Sequence, residues 1–504
     1  MRSVWLLGLS PLEDADSFRR VHSLPSMPTN EERVMSVEGN LLICGATMVL
    51  PEKTIIGDLR VSGGKISEIS VGGGLKSEDN ELFVDGTGLH LLPGAIDPQV
   101  HFRDPGQPEK EDLASGSAAG VSGGITSFLD MPNNKPAITT LDGMMTKLET
   151  ASKKCISNYG FFIGATEDNV EELQKAVGKP DAPIAIPGIC GIKIFMGAST
   201  GTLLVSDRGA LKNIFENTAG LIAVHAEDED RMNERFKLFQ DRTDMEAHAL
   251  WRDDITALLA TQTAVEMAKA TGHRLHILHL TSGLEADWLS DICQSPSNAV
   301  ETPIITTEVL PQHLTFDETD VHERGTRLKM NPPIRYAIDK EKLWQRLHDG
   351  TIICIATDHA PHTLEAKELG FPKAPSGMPG VETSLPVMLT HAKDGNCTIE
   401  DVVNWMSTNV AECYQMIGKG KLEEGYDGDI VLVDMNKEAT VKDDLSWTRV
   451  GWSPYAGKEL VGWPVLTVIE GIPVFERNQI TGQKGKLLVE AGTVGKPILM
   501  GPWK

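Results

Sequence analysis

The chain has 504 residues, enough for more than one hydrophobic core, since single cores stop growing near about 250–300 residues. Its 47 Lys and Arg against 71 Asp and Glu leave a net charge of −24, which excludes nucleic acid and anionic membrane surfaces as partners while leaving room for a local cationic pocket for a small anion. Seven cysteines without a Cys-x-x-Cys pair read as free thiols in a reducing, cytoplasmic setting, and no apolar run nears the ~20 residues of a membrane span.

Residues 1–38 combine a short apolar patch, "VWLLGL", with mixed charge, Pro and Ser. The patch is too short for a signal-peptide core, so a poorly ordered extension is expected, with a cleaved organelle-targeting piece or a start at Met35 as alternatives. Over residues 39–90, β-type runs such as "LLICGATMVL" and "ELFVDGTG" are separated by Gly-Gly and Asp-Gly turn signals. The same texture returns over 425–495 in "GYDGDIVLVDM" and "ELVGWPVLTVIEGIPVFERNQI", so the two chain ends are expected to build one small β-sandwich subdomain.

Over residues 91–424, short apolar runs alternate with longer helical stretches, the pattern of βα units around a parallel sheet. Eight strands follow in order: "LLPGAID", "ITSFLDM", "NYGFFIGA", "CGIKIFM", "GLIAVHA", "LHILHL", "PIITTEV" and "TIICIATDH". They predict an α/β fold, a (β/α)8 TIM-like barrel, whose chemistry gathers at the C-terminal strand ends. Those ends carry Gln99 with His101, Asn133, Lys193, His225, His279, Glu308 and Asp358, and only the third strand ends bare. Strand parity puts Leu275, Ile277 and His279 on one face, so His279 is the candidate ligand and His276 is expected to pack toward the helices.

His101, His225, His279 and Asp358 are the donor types of a hydrolytic zinc site. Lys193 fits among them if burial favours its neutral amine, which can react with carbon dioxide to give a carbamate able to bridge two metals. A lone strand histidine is more often a satisfied core residue, and a lone strand-end lysine usually reaches for water. Their recurrence on successive strands favours the metal. Arg103 follows His101 by two and shares its face, which suits a substrate carboxylate.

With "DPQVHFRDPG", "DMPNNKP", "GIKIFMGAST", "VHAED", "LHILHLTS", "KMNPPIR", "ATDHAPHTLEAKE" and "GMPGVETSLP" in this order, the chain resembles the dihydroorotases of the cyclic-amidohydrolase superfamily over roughly residues 40–480. The resemblance implies N6-carboxylysine at Lys193 bridging Zn2+ ions, one held by His225 and His279 and one by His101 and Asp358. Asp358 would double as proton shuttle, with Asp97 and Glu308 supporting the ligands from behind. It implies that Arg103, Asn133 and His362 grip the carboxylate of dihydroorotate and that Asn331 meets the ring amide. Ser199 and Thr200, in the loose stretch "GASTGT", are a candidate lid. The implied reaction is the reversible closure of N-carbamoyl-L-aspartate to L-dihydroorotate and water, by a homodimer that another pyrimidine-pathway enzyme could accompany.

Gln99 stands where that family usually has the first histidine of its His-x-His. A carboxamide is a weak zinc ligand or none, so three readings follow: a weakly held second metal, a single-metal enzyme, or an inactive partner of another enzyme. The intact remainder of the set favours an active enzyme. Allantoinases, hydantoinases and dihydropyrimidinases are the competing activities, and Arg103 is the residue that argues for dihydroorotase.

Overall fold

The computed structural model describes residues 4–5, 39–51, 53–199, 203–298, 300, 302–477 and 484–501. The extension expected over residues 1–38 lies outside them, apart from Val4–Trp5, which runs parallel to Leu82–Asp85. The expected barrel is borne out. Eight parallel strands follow in chain order: β1 (Ala95–Val100), β2 (Ile125–Asp130), β3 (Asn158–Gly164), β4 (Ile189–Phe195), β5 (Leu221–His225), β6 (Arg274–Leu280), β7 (Ile305–Val309) and β8 (Cys354–Ile355). A bridge between Val100 and His359 joins the first edge to the last, with the His101 N–H donating to the His359 carbonyl at 2.8 Å.

The strands are apolar on both faces because both faces are covered, as parallel sheets require. Outward residues such as Phe128, Phe161, Ile192, Ile222 and Ile277 share a core with Ala119, Leu211, Ala260 and Leu289 of the surrounding helices. These helices carry their own boundary signals. Asp253 caps Asp254–Thr271 by accepting from Thr256 N at 2.9 Å, and Gly272 ends it at φ +70°. The helix Leu113–Ser122 approaches the barrel through Gly116, where a Cβ would lie 2.5 Å from the Phe102 ring. That close seat keeps Phe102 turned outward between His101 and Arg103, so its two neighbours turn inward.

The lumen below the site is filled by Ile96, Leu129, Phe162, Ala223, Leu278 and Cys354. It is plugged from the N-terminal end by Tyr414 and Met416, with Ile498 and Met500 beside them. The Tyr414 ring lies 6.0 Å from Phe162 and 5.4 Å from His276, and Arg274 donates to the Cys413 carbonyl at 2.6 Å.

Two expectations need correction. "LLPGAID" is not one strand: His90–Pro93 pairs antiparallel with Ile430–Asp434 in the second sheet, and β1 begins only after Gly94. A run apolar on both faces carries no mark of where the chain changes sheets. His276 does not pack toward the helices either. It points into the lumen, donating toward Glu308 and meeting Tyr414.

The second sheet unites the chain ends through that pairing of His90–Pro93 with Ile430–Asp434. Its alternation serves two cores. Leu91, Ile430 and Leu432 join Leu41, Ile43, Leu59 and Val61, whereas Leu92, Val431 and Val433 pack on the barrel side. Four of the cysteines, Cys155, Cys190, Cys354 and Cys413, are buried, and all seven are free thiols. Because Tyr414 is fully buried beneath the lumen, Tyr414→Ala is expected to cost about 3 kcal/mol, read as a lower urea midpoint at unchanged slope.

Candidate active site

Gln99, His101, Arg103, Asn133, Lys193, Phe195, Ser199, His225, His279, Asn331 and Asp358 line one cleft at the C-terminal strand ends. Three of them depart from ordinary backbone geometry: Arg103 at φ +58°, His279 at +40° and Asp358 at +46°. A non-glycine residue held there costs roughly 1–3 kcal/mol, so the surrounding packing must enforce it. For His279 the reason is visible. The register of β6 against β7 shifts between Ile277 and Leu280, and this irregularity turns His279 into the cleft although Ile277, two residues before, faces the helices. Parity picks out the right residue by the wrong path.

Lys193, His225 and His279 come together on one side. The Lys193 ammonium nitrogen is buried without a hydrogen-bond partner, 4.6 Å from the Phe195 ring centre. Burial pushes its pKa down to about 7, so the neutral amine is accessible. Burial also holds His225 below and His279 well below the ordinary imidazole value, which keeps both rings neutral. His225 Nε2 meets Glu227 Oε2 at 2.8 Å, which assigns the ring proton there and aims the Nδ1 lone pair at His279 Nε2, 2.9 Å away.

Glu227 does not stand out in "VHAED" as a sequence. Buried, it would be raised by desolvation, but Arg252 and then His225 hold its carboxyl well below the usual range. Arg252 Nε donates to both carboxylate oxygens, at 3.0 and 3.1 Å. A His-x-Glu spacing at a strand end is the available signal. Glu308 supports the other ring from behind: Oε1 accepts from the His279 backbone N–H at 3.3 Å and Oε2 meets His276 Nε2 at 3.1 Å.

Gln99, His101 and Asp358 meet on the other side. His101 Nε2 lies 2.9 Å from Asp358 Oδ1, and Gln99 Nε2 donates to the same oxygen at 3.1 Å. Asn133 Oδ1 holds the other nitrogen of the His101 ring at 2.6 Å, so this residue, expected to face substrate, also fixes a histidine. Asp97 accepts from the backbone N–H groups of Gln99 and Thr357 at 3.2 and 3.1 Å, tying β1 to the segment that carries Asp358. Its burial pushes its pKa up to about 7.

Arg103 is 2% exposed, and none of its three guanidinium nitrogens has a hydrogen-bond partner. His362 Nε2 and Asn331 Oδ1 are likewise buried and unpaired. Burial lowers the Arg103 pKa to about 10. Trp452 reaches in from the C-terminal segment and donates to the His362 carbonyl at 2.8 Å, a support that the motifs do not reveal. Ser199 accepts from Asn331 Nδ2 at 3.4 Å, while Thr200 lies outside the described residues.

Among the described residues, no three His, Cys, Asp or Glu side chains converge on a point that could hold a metal. A third donor has to come from Lys193. An unpaired buried amine beside two neutral imidazoles fits a divalent cation once that amine is carbamylated. The cleft thus offers metal donors, a carboxylate able to carry a proton, and a separate unpaired cation for an anionic ligand.

The chain matches the Amidohydrolase family over residues 90–472. It is 33% identical over 454 residues to a dihydroorotase from Pyrococcus horikoshii, covering 90% of this chain and 96% of that relative. It is 32% identical to an allantoinase from Streptomyces avermitilis, covering 89% and 98%. Among solved structures it is similar to an L-hydantoinase (dihydropyrimidinase) from Arthrobacter aurescens, with a TM-score of 0.82, 28% identity, and 91% and 99% coverage.

Since Glu227 meets the His225 ring nitrogen, Glu227→Gln is expected to weaken any divalent-metal affinity of this cleft by about 10–100-fold in competition with a chromophoric chelator.

Proposed function

Since the chain belongs to the amidohydrolase family, we propose that it is a dihydroorotase, interconverting N-carbamoyl-L-aspartate and L-dihydroorotate plus water in de novo pyrimidine (UMP) synthesis. The observation that carries this reading is Arg103. A buried guanidinium with no partner is costly unless an anion completes it, and it sits in the same cleft as the metal donors. Dihydroorotate has a ring amide to open and a carboxylate to bind, whereas hydantoin and dihydrouracil have no carboxylate for Arg103.

In this reading Arg103 takes the substrate carboxylate through paired charge-assisted hydrogen bonds, with Asn133 and His362 beside it and Asn331 against the ring amide. Ser199 bonds Asn331 and is the lid residue of this reading. Zn2+, one or two ions per subunit, would be held by carbamylated Lys193, His225 and His279, and by His101 with Asp358. The metal supplies Lewis acidity to the ring carbonyl and makes water a nucleophile at neutral pH. Asp358 holds the proton taken from water and delivers it to the departing ring nitrogen, its carboxylate oriented by His101 and Gln99. Asp97 and Glu308 keep the donor-bearing segments in register.

The same reading divides the chain into an extension over 1–38, a β subdomain over 39–90 and 425–495, and the hydrolase barrel over 91–424. It takes the molecule to be a cytoplasmic homodimer, with another pyrimidine-pathway enzyme as a candidate associate. No helix among the described residues is long and apolar enough to cross a membrane. The allantoinase similarity supplies the competing reading, allantoin as the ring that is opened.

A panel of dihydroorotate, allantoin, hydantoin and dihydrouracil decides between them. Dihydroorotate is expected to be consumed fastest, and preferential turnover of allantoin would replace the reading. Arg103→Met is expected to lower kcat/KM for dihydroorotate by about 100-fold, the loss of a charged hydrogen-bonding partner. Asp358→Ala should abolish turnover. Carbamylation needs the neutral amine, and the Lys193 pKa is lowered to about 7. Activation of metal-free protein by zinc with bicarbonate should therefore rise as pH climbs through that value, and Lys193→Ala should not respond.

A further inference from the structure

Gln99 is 1% exposed and locked between neighbours that define which end of its amide faces Asp358. Asp358 Oδ1 accepts hydrogen bonds and cannot donate them when ionised, so the group 3.1 Å from it is the amide NH2. The Gln99 carbonyl oxygen, the only atom of that side chain able to ligate a metal, is the end left buried without a partner. His101 Nε2 approaches the same Asp358 oxygen at 2.9 Å. Two nitrogens therefore converge on one of the two Asp358 oxygens. To recruit the amide as a ligand, a cation would have to break the Gln99–Asp358 bond and then settle for a neutral carboxamide oxygen. The buried guanidinium of Arg103, close enough to feel the Asp358 charge, adds a positive charge to that same side.

The opposite side differs in kind. There two imidazoles face each other at 2.9 Å, the Lys193 amine has no competing partner, and Glu227 with Arg252 fixes one ring from behind. We propose that Gln99 is a positioning residue that donates to Asp358 and is not a metal ligand, so that this chain retains one tightly held divalent ion, on the Lys193, His225 and His279 side. Asp358 then keeps its carboxylate for proton transfer, aimed by Gln99 and His101. The proposal rests on the metal-dependent reading above.

Metal content decides it without reference to turnover. The full-length protein is loaded with zinc and bicarbonate, passed through metal-free buffer, and its zinc measured per folded chain by mass spectrometry. Wild type and His101→Asn should each retain one equivalent, His279→Asn should retain almost none, and Gln99→His should retain two. Manganese-loaded Gln99→His should show the electron paramagnetic resonance signature of a coupled ion pair, and wild type that of an isolated ion. Two tightly held equivalents in wild type would overturn the proposal, as would an ion lost from His101→Asn but kept by His279→Asn. If Gln99→His fails to fold, the contrast between the two histidine variants still shows which side holds the ion. Failure of the dihydroorotase reading would appear separately, as correct zinc stoichiometry with no consumption of dihydroorotate.

Discussion

The constraint on which this structure turns is the burial of two cationic side chains, Arg103 and Lys193, at the mouth of one barrel with no hydrogen-bond partner for either. Removing a charge from water costs several kcal/mol per ion even after relaxation. Burial answers this differently at the two positions. The lysine pKa falls to about 7, so its proton can leave, whereas the guanidinium stays charged near neutral pH with its pKa at about 10. One becomes a neutral amine, and the other remains a fixed, unpaired cation. A chain of net charge −24 thus keeps one unpaired guanidinium buried in this cleft.

The rest of the molecule holds those groups in place. Left-handed backbone at Arg103, His279 and Asp358 would relax if the flanking segments were free. They are not free: Phe102 is seated against Gly116, the β6 irregularity is pinned by Glu308, and Thr357, just before Asp358, is tied to Asp97. Beneath them the lumen is packed solid down to Tyr414, so the strand ends rest on a rigid base. The C-terminal segment closes the arrangement from above through Trp452 and the His362 carbonyl.

Much of this is legible in the residues. The eight apolar runs point to the barrel, because each strand of a parallel sheet must be apolar on both faces, and the scarce polar residues at their ends stand out for that reason. Parity serves less well. It assumes an unbroken pleat, and β6 is not unbroken, so it sends His276 to the helix side when the ring lies in the lumen. Glu227 and Arg252 escape a reading of the motifs because a salt bridge spanning 25 positions has no local signature.

The sequence by itself determined the architecture and the identity of the groups at the strand ends, glutamine at position 99 among them, since these follow from side-chain chemistry and the period of the apolar runs. Only the tertiary structure decided that His276 lies in the lumen and that the chain changes sheets at Gly94. It alone set the end of the Gln99 amide that faces Asp358 and left Arg103 without a partner. Each of those depends on which atoms distant segments bring within hydrogen-bond reach, and that distance is a property of the closed barrel and of no shorter stretch of chain.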